Sequence, residues 1–314
     1  MLKRVKVGLL LKITATMCLA GSMLFGSFPA LAQTDSYEYI PAQQDAASFV
    51  SKDMDTGVIS YFDLYVNNTR VSATDDTSAA RTSAAYRSVD PFIPDEVSLS
   101  RSIIGTDDRI RITTTTTFPF CAIGVLNITF PNGATGTGTG WLFYDNVVIT
   151  AGHCVFDSNN GGWATAITFI PGANGSTSPY GSATSTQLVT STAWANNRDT
   201  NHDWGVITLN SNIGRSTGYF GITWQSASLK DTVVHVIGYP GEYFRQMWGM
   251  GGTITRDTTN RVFYTIDTTG GQSGSPVYKP DNYVVAIHTT GSATENGGTR
   301  ITKALFDYFA SLRV

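Results

Sequence analysis

From about residue 102 onward the chain is a succession of short apolar runs, each cut off by turn residues, and this rhythm points to an all-β body. The runs span 121–130, 140–143, 146–150, 166–171, 204–209, 232–238, 248–254, 262–266, 276–278 and 283–288. Between them stand Pro131-Asn132-Gly133, Asn159-Asn160-Gly161-Gly162, Pro171-Gly172 and Pro240-Gly241, all of which favour tight turns. Only the end changes period. Ile301, Ala304, Leu305, Tyr308, Phe309 and Leu312 recur at the spacing of one helical face, which predicts a helix over 301–312.

The rest of the chain reads as removable segments. Lys3, Arg4 and Lys6 precede an apolar stretch that ends in Ala30-Leu31-Ala32, the layout of a secretory signal peptide over residues 1–32. Lys12 interrupts the stretch, and the small-residue exit favours cleavage over retention as an anchor, so the expected location is secreted. Residues 33–101 are acidic and Ser/Ala-rich, with one apolar patch at Val58-Ile59-Ser60-Tyr61-Phe62. They are expected to form a propeptide, chaperone-like or inhibitory, ending at a processing point between Arg101 and Ser102; a plain linker is the alternative. With 14 % charged residues and a net charge of −3, the chain has no basic footprint for nucleic acid.

The chemistry centres on Gly270-Gly271-Gln272-Ser273-Gly274-Ser275-Pro276. Glycines on both sides of a serine let neighbouring N–H groups turn toward one spot, as a nucleophile at an acyl carbon needs. A serine hydroxyl needs a base, and the base needs a carboxylate to fix its tautomer. Among four histidines, His153 in Thr150-Ala151-Gly152-His153-Cys154 suits the base, since that turn would project it from a strand end. Asp203 suits the carboxylate because it precedes the buried run Trp204–Leu209; Asp199 and Asp157 are alternatives. His202 reads as a loop residue and His235 as a strand position without a role. No zinc-type Cys/His spacing, EF-hand loop or nucleotide-binding glycine motif occurs, so no metal or cofactor is expected. Asp107-Asp108 could touch calcium, but a loop carboxylate pair is usually just solvated.

The order His153, Asp203, Ser273, in the contexts TAGHC, HDWGVI and GGQSGSP, resembles the chymotrypsin-like serine proteases, and among them the secreted bacterial glutamyl endopeptidases. The resemblance runs from Arg101 to the terminal helix and includes Arg101-Ser102-Ile103-Ile104-Gly105-Thr106-Asp107-Asp108-Arg109, Phe118-Pro119-Phe120 and Ala286-Ile287-His288-Thr289. It implies two six-stranded antiparallel β-barrels with a C-terminal α-helix over 102–314, and the triad in the cleft between them. It further implies an oxyanion hole from the N–H groups of Gly271 and Ser273, with Thr289, Thr290 and Gly291 pairing with substrate backbone. His288, Thr268 and the amino group of Ser102 would receive a substrate glutamate, or less readily aspartate.

Asp267 speaks for another preference, because its offset from Ser273 is where trypsin-like enzymes carry the aspartate that binds Arg or Lys. Cysteine use also departs from the family. The stretch Thr137-Gly138-Thr139-Gly140-Trp141 lacks the usual partner of the cysteine after the histidine, which leaves Cys121 with Cys154 as a possible bridge, or two buried thiols. A non-catalytic protease-like binding protein usually shows a substituted triad, and an esterase would show Gly-x-Ser-x-Gly; neither pattern occurs here. The expected partners are protein or peptide substrates, the propeptide within the chain, and an activating protease, on a monomer that touches neither nucleic acid nor, after signal cleavage, membrane.

Overall fold

Two sheets, each rolled onto itself, account for the strands that the turn rhythm implies. The computed structural model describes residues 48–63 and 101–313. Residues 1–32, read above as a signal peptide, and most of 33–101 lie outside these residues. The described chain opens with a hairpin of β1 (Ser48–Asp53) and β2 (Ile59–Asp63), then two short strands, β3 (Arg101–Ser102) and β4 (Ile110–Ile112). The first barrel starts with β5 (Ile123–Thr129), β6 (Thr135–Leu142) and β7 (Val147–Thr150). A helical turn, α1 (Gly152–Val155), and a small pair, β8 (Phe156–Asp157) and β9 (Gly162–Trp163), lead to β10 (Ala166–Pro171) and β11 (Ala183–Ser191). The helix α2 (Thr192–Asn197) precedes β12 (Gly205–Leu209).

The connection to the second barrel carries α3 (Gly214–Thr217) and β13 (Gly221–Ile222). That barrel is built from β14 (Val233–Gly238), β15 (Met247–Asp257), β16 (Arg261–Tyr264), then past the short β17 (Thr268–Thr269), β18 (Pro276–Tyr278), β19 (Tyr283–Gly291) and β20 (Asn296–Arg300). The helix α4 (Lys303–Ala310) ends the fold inside the predicted 301–312.

Both barrels are antiparallel and six-stranded. The first runs β10-β5-β6-β7-β12-β11 and closes through β10–β11; the second runs β19-β18-β14-β15-β16-β20 and closes through β19–β20. The hairpin extends the first at β11, while β4 and β13 are appended to the second. Apolar residues inside the strands fill each barrel, Trp141, Ile149, Phe169 and Ile207 in one cluster and Val234, Val236, Val262 and Tyr264 in the other. The face of α4 that the spacing marks, Leu305, Tyr308 and Phe309, is buried on the first cluster. Such a side chain contributes about 1.5–3 kcal/mol when fully buried. Thr302 caps the helix by accepting from the Leu305 N–H at 3.3 Å.

Two barrel strands fall outside the predicted runs. β11 is rich in Ser and Thr and carries no continuous apolar run, yet its β-branched threonines suit a strand. β20 begins Asn-Gly-Gly, which reads as a turn. In the sheet Gly298 is there for space: a Cβ on it would stand 2.4 Å from the Ile287 carbonyl oxygen.

Candidate active site

His153 and Asp203 are brought together by the ends of two paired strands. β7 and β12 are antiparallel neighbours, with Thr150 opposite Gly205. The turn after β7 starts with Ala151 in extended conformation and passes at once into α1, which carries His153. Asp203 ends the turn just before β12. Its Oδ2 lies 2.8 Å from His153 Nδ1, and its Oδ1 accepts the backbone N–H of His153 at 3.0 Å. The carboxylate is 2 % exposed and the imidazole 30 %. Thr299 Oγ1 donates to the Asp203 backbone carbonyl at 2.9 Å and ties this turn to the second barrel. Burial opposes a charge on the imidazole, but the Asp203 carboxylate and the neighbouring Cys154 together outweigh it and hold the His153 pKa well above the ordinary histidine range.

Ser273 comes from the second barrel and is seated on the first. Its carbonyl accepts the Thr139 N–H at 2.8 Å, and Thr139 Oγ1 donates to the Gly271 carbonyl at 2.9 Å. The next residue, Gly274, has φ +90°, and a Cβ there would lie 2.1 Å from the Thr139 carbonyl oxygen. Glycine thus lets the serine loop settle against β6 and the start of the His153 turn. Gly271 has φ +95°, with the backbone of Tyr239 and Gly241 2.6 Å from where a Cβ would be. Among the described residues neither the Gly271 nor the Ser273 N–H donates to another group of the protein.

The residues expected to choose the substrate cluster on β17 and β19. Thr268, His288 and Thr289 are buried, Thr290 is half-buried and Gly291 exposed. His288 Nδ1 lies 2.7 Å from Tyr264 Oη. Burial, with His153 and Arg261 adding positive charge nearby, brings the His288 pKa down to about 3. The register pairs Ser102 with Thr268. Asp267 is 1 % exposed, and its carboxylate is bonded to the chain itself: Oδ1 accepts the Ile104 N–H at 2.8 Å and Oδ2 the Asp108 N–H at 3.1 Å.

The alternatives for the carboxylate have local duties. Asp199 accepts the Asn201 N–H and pairs with His202, and Asp157 accepts the Asn159 N–H. His235 sits in β14 against the Tyr278 ring. Asp107 and Asp108 are exposed, as a loop carboxylate pair would be, and Asp107 also pairs with Arg109. Cys121 and Cys154 are not bridged: both are buried free thiols, and Cys121 donates to the Thr217 carbonyl.

One group escaped sequence reasoning altogether. Arg109, its side chain 2 % exposed, donates from Nη1 to Thr269 Oγ1 at 2.8 Å and to Gln272 Oε1 at 3.0 Å. Its Nη2 meets Asp107 at 2.9 Å and Glu242 at 2.8 Å. Gln272 Oε1 also accepts the Thr269 N–H at 3.0 Å. The residue before Ser273 is therefore held by an arginine from the segment that follows the Arg101–Ser102 junction. The only available hint was an arginine beside two aspartates, a pattern common on solvated surfaces.

Residues 138–287 match the trypsin-like peptidase domain family. A protein of Bacillus subtilis called extracellular metalloprotease is 43 % identical over 215 residues, which cover 66 % of this chain and 68 % of that protein. A glutamyl endopeptidase of Bacillus licheniformis is 39 % identical over 219 residues, covering 66 % and 67 %. A solved structure of a Glu endopeptidase is 33 % identical and superposes with a TM-score of 0.61 over 67 % of this chain and 98 % of its own. The Bacillus subtilis name speaks of a metal, but among the described residues no three His, Cys, Asp or Glu side chains gather as a metal would need. The two-barrel fold, the shared sequence and the domain match agree, and the chain belongs to the trypsin-like serine peptidases.

Proposed function

We propose that this serine peptidase is a secreted endopeptidase that cleaves after glutamate, and less readily after aspartate, through His153, Asp203 and Ser273. Ser273 Oγ attacks the scissile carbonyl as His153 takes its proton, and Asp203 holds the ring and stabilises the imidazolium. The Gly271 and Ser273 N–H groups receive the developing oxyanion; one such donor is worth about 2.7–4 kcal/mol. His153 then gives its proton to the leaving amine, and water repeats the sequence to free the acyl group. Thr289, Thr290 and Gly291 pair with the substrate backbone as an added strand.

The observation that carries the choice of glutamate is the state of Asp267. Both of its oxygens are taken by backbone N–H groups of residues 104 and 108, so the carboxylate on which a preference for Arg or Lys would rest is engaged in holding the chain. His288 and Thr268 then supply the side-chain recognition. With the Tyr264 hydroxyl donating to Nδ1, the neutral imidazole would carry its proton on Nε2 and could donate it to a carboxylate in a partly dry cleft. The Bacillus licheniformis and Staphylococcus aureus relatives are named glutamyl endopeptidases. Secretion follows from the signal-like amino end and fits the Bacillus subtilis relative, which is called extracellular.

The test is a matched peptide series with Glu, Asp, Arg, Lys or Phe before the scissile bond, with Ser273→Ala as the blank. Selective cleavage after Glu is expected. Cleavage after Arg or Lys would return the pocket to Asp267, and hydrolysis by the Ser273→Ala enzyme would move the nucleophile elsewhere.

A further inference from the structure

The hairpin of residues 48–63 sits where the first barrel is incomplete. β10 and β11 close that barrel through only Thr168–Thr184 and Phe169–Ala183. Beyond that point the outer edge of β11 runs free of the barrel, and β1 pairs with it from Phe49–Ser191 to Asp53–Gln187. Without β1 this edge would present unpaired N–H and carbonyl groups, an invitation to any extended chain. The Met54 N–H continues the ladder by donating to the Thr186 carbonyl at 2.8 Å.

Side chains make the contact specific. Phe49 and Val50 are 1 % and 3 % exposed. The Phe49 ring stacks on Tyr308 of α4 at 4.4 Å and meets the Trp204 edge at 5.3 Å, and Phe62 of β2 covers it at 5.5 Å. Lys52 Nζ donates to the Ala164 carbonyl at 3.2 Å. The hairpin thus joins β11 and Trp204 to Tyr308 of the terminal helix, which lies more than a hundred residues further along the chain. Its outer side is different: Val58, Ile59 and Tyr61 are about half exposed. These contacts stay off the cleft, and the His153 side chain keeps its 30 % exposure with the hairpin in place.

We propose that the Gln187–Ser191 edge of β11, with its Trp204–Tyr308 floor, is a docking site for residues 48–63 of this chain, and that the docked hairpin assembles the first barrel rather than blocking the cleft. The site recognises an extended segment with a phenylalanine facing the floor, so the same segment acts when supplied as a separate peptide. This rests on reading residues 33–101 as a removable pro-segment.

The test uses the full chain carrying Phe49→Ala. Its yield of folded, secreted protease should fall at least tenfold, while turnover per titrated active site in the recovered enzyme stays at the wild-type value. During refolding of the full-length variant, a synthetic peptide of residues 48–63 should restore the yield, and the same peptide with Phe49→Ala should not. An unchanged yield, or no rescue by the native peptide, overturns the docking site. A Phe49→Ala precursor that hydrolyses faster than the wild-type precursor overturns the assembly role in favour of inhibition. Amino-terminal sequencing of the secreted protein separates the two readings: a product that retains residues 48–63 refutes removal of the segment, while the yield and rescue arms still decide docking.

Discussion

Two histidines a short distance apart are driven in opposite directions, and the pH profile should carry both signatures. The pKa of His153 is raised against burial by Asp203, so the pair stabilises the fold fully below the ordinary histidine pKa. That contribution fades as pH rises through the raised value, whereas the proposed base needs the deprotonated ring. Over the same interval kcat/KM should therefore rise while stability from this pair falls. His288 is opposite: with a folded pKa of about 3 it binds fewer protons than the unfolded chain between there and the ordinary value. Its contribution to stability is present above that ordinary value and lost as pH falls toward 3, and it adds no limb to the activity profile near neutrality. Measuring kcat/KM from pH 5 to 10 on Glu and Phe substrates checks this; an additional limb near neutrality confined to the Glu substrate would mean that His288 titrates in use. Gly138 offers a second prediction at single-residue scale. A Cβ on it would lie 2.9 Å from Cys154 Sγ, which makes it the missing partner of the family's bridge. Gly138→Cys should form a disulfide with Cys154, seen as a loss of two hydrogens by mass. For a loop of this size it should add about 3 kcal/mol to the unfolding free energy.

At the level of elements, what could be read from the sequence depended on how each element earns its burial. Strands such as β10 and β18, whose apolar residues fill a barrel, appear in the sequence at their observed bounds, and α4 shows its period of 3.6. β11 and β20 are held by their neighbours' backbones, and their Ser, Thr, Asn and Gly residues carry no apolar signal. The proposed triad was legible because each member lies in a distinctive local context. The support for the Ser273 loop was not, because Arg109, Glu242 and Gln272 meet only through the fold. That support is testable. Arg109→Gln leaves Glu242 and Asp107 without their cation, but both carboxylates reach solvent; the main loss is the buried hydrogen bonds to Thr269 and Gln272, about 1–3 kcal/mol. If Arg109 also positions the loop, kcat should fall by about two orders of magnitude, the scale of one lost oxyanion donor, with KM little changed. Arg109→Lys should recover part of it. Equal loss of folded protein and activity, with normal kcat per titrated site, would leave Arg109 a purely structural residue.

Across the whole molecule, the Arg101–Ser102 junction touches two functions that the fold keeps apart. The Ser273 loop is organised in the uncut chain by Arg109, and no new amino group is needed to hold Gln272. The proposed glutamate pocket is different, since Ser102 pairs with Thr268 and the Ile104 N–H is fixed on Asp267. Two residues of chain reach at most about 7 Å, so an amino group freed at Ser102 stays beside Thr268. Cutting after Arg101 would therefore complete substrate recognition rather than build the nucleophile, and a glutamate-preferring enzyme would need another, basic-specific protease to make the cut. An Arg101→Ser precursor, closed to that protease, separates the two. It should react with a fluorophosphonate at Ser273 within a few-fold of the processed enzyme's rate. Its kcat/KM on a Glu substrate should be at least tenfold lower, with the loss much smaller on a Phe substrate. A precursor inert to the fluorophosphonate would show instead that the nucleophile loop itself waits for cleavage, and would remove Arg109 from its role as the fixed support.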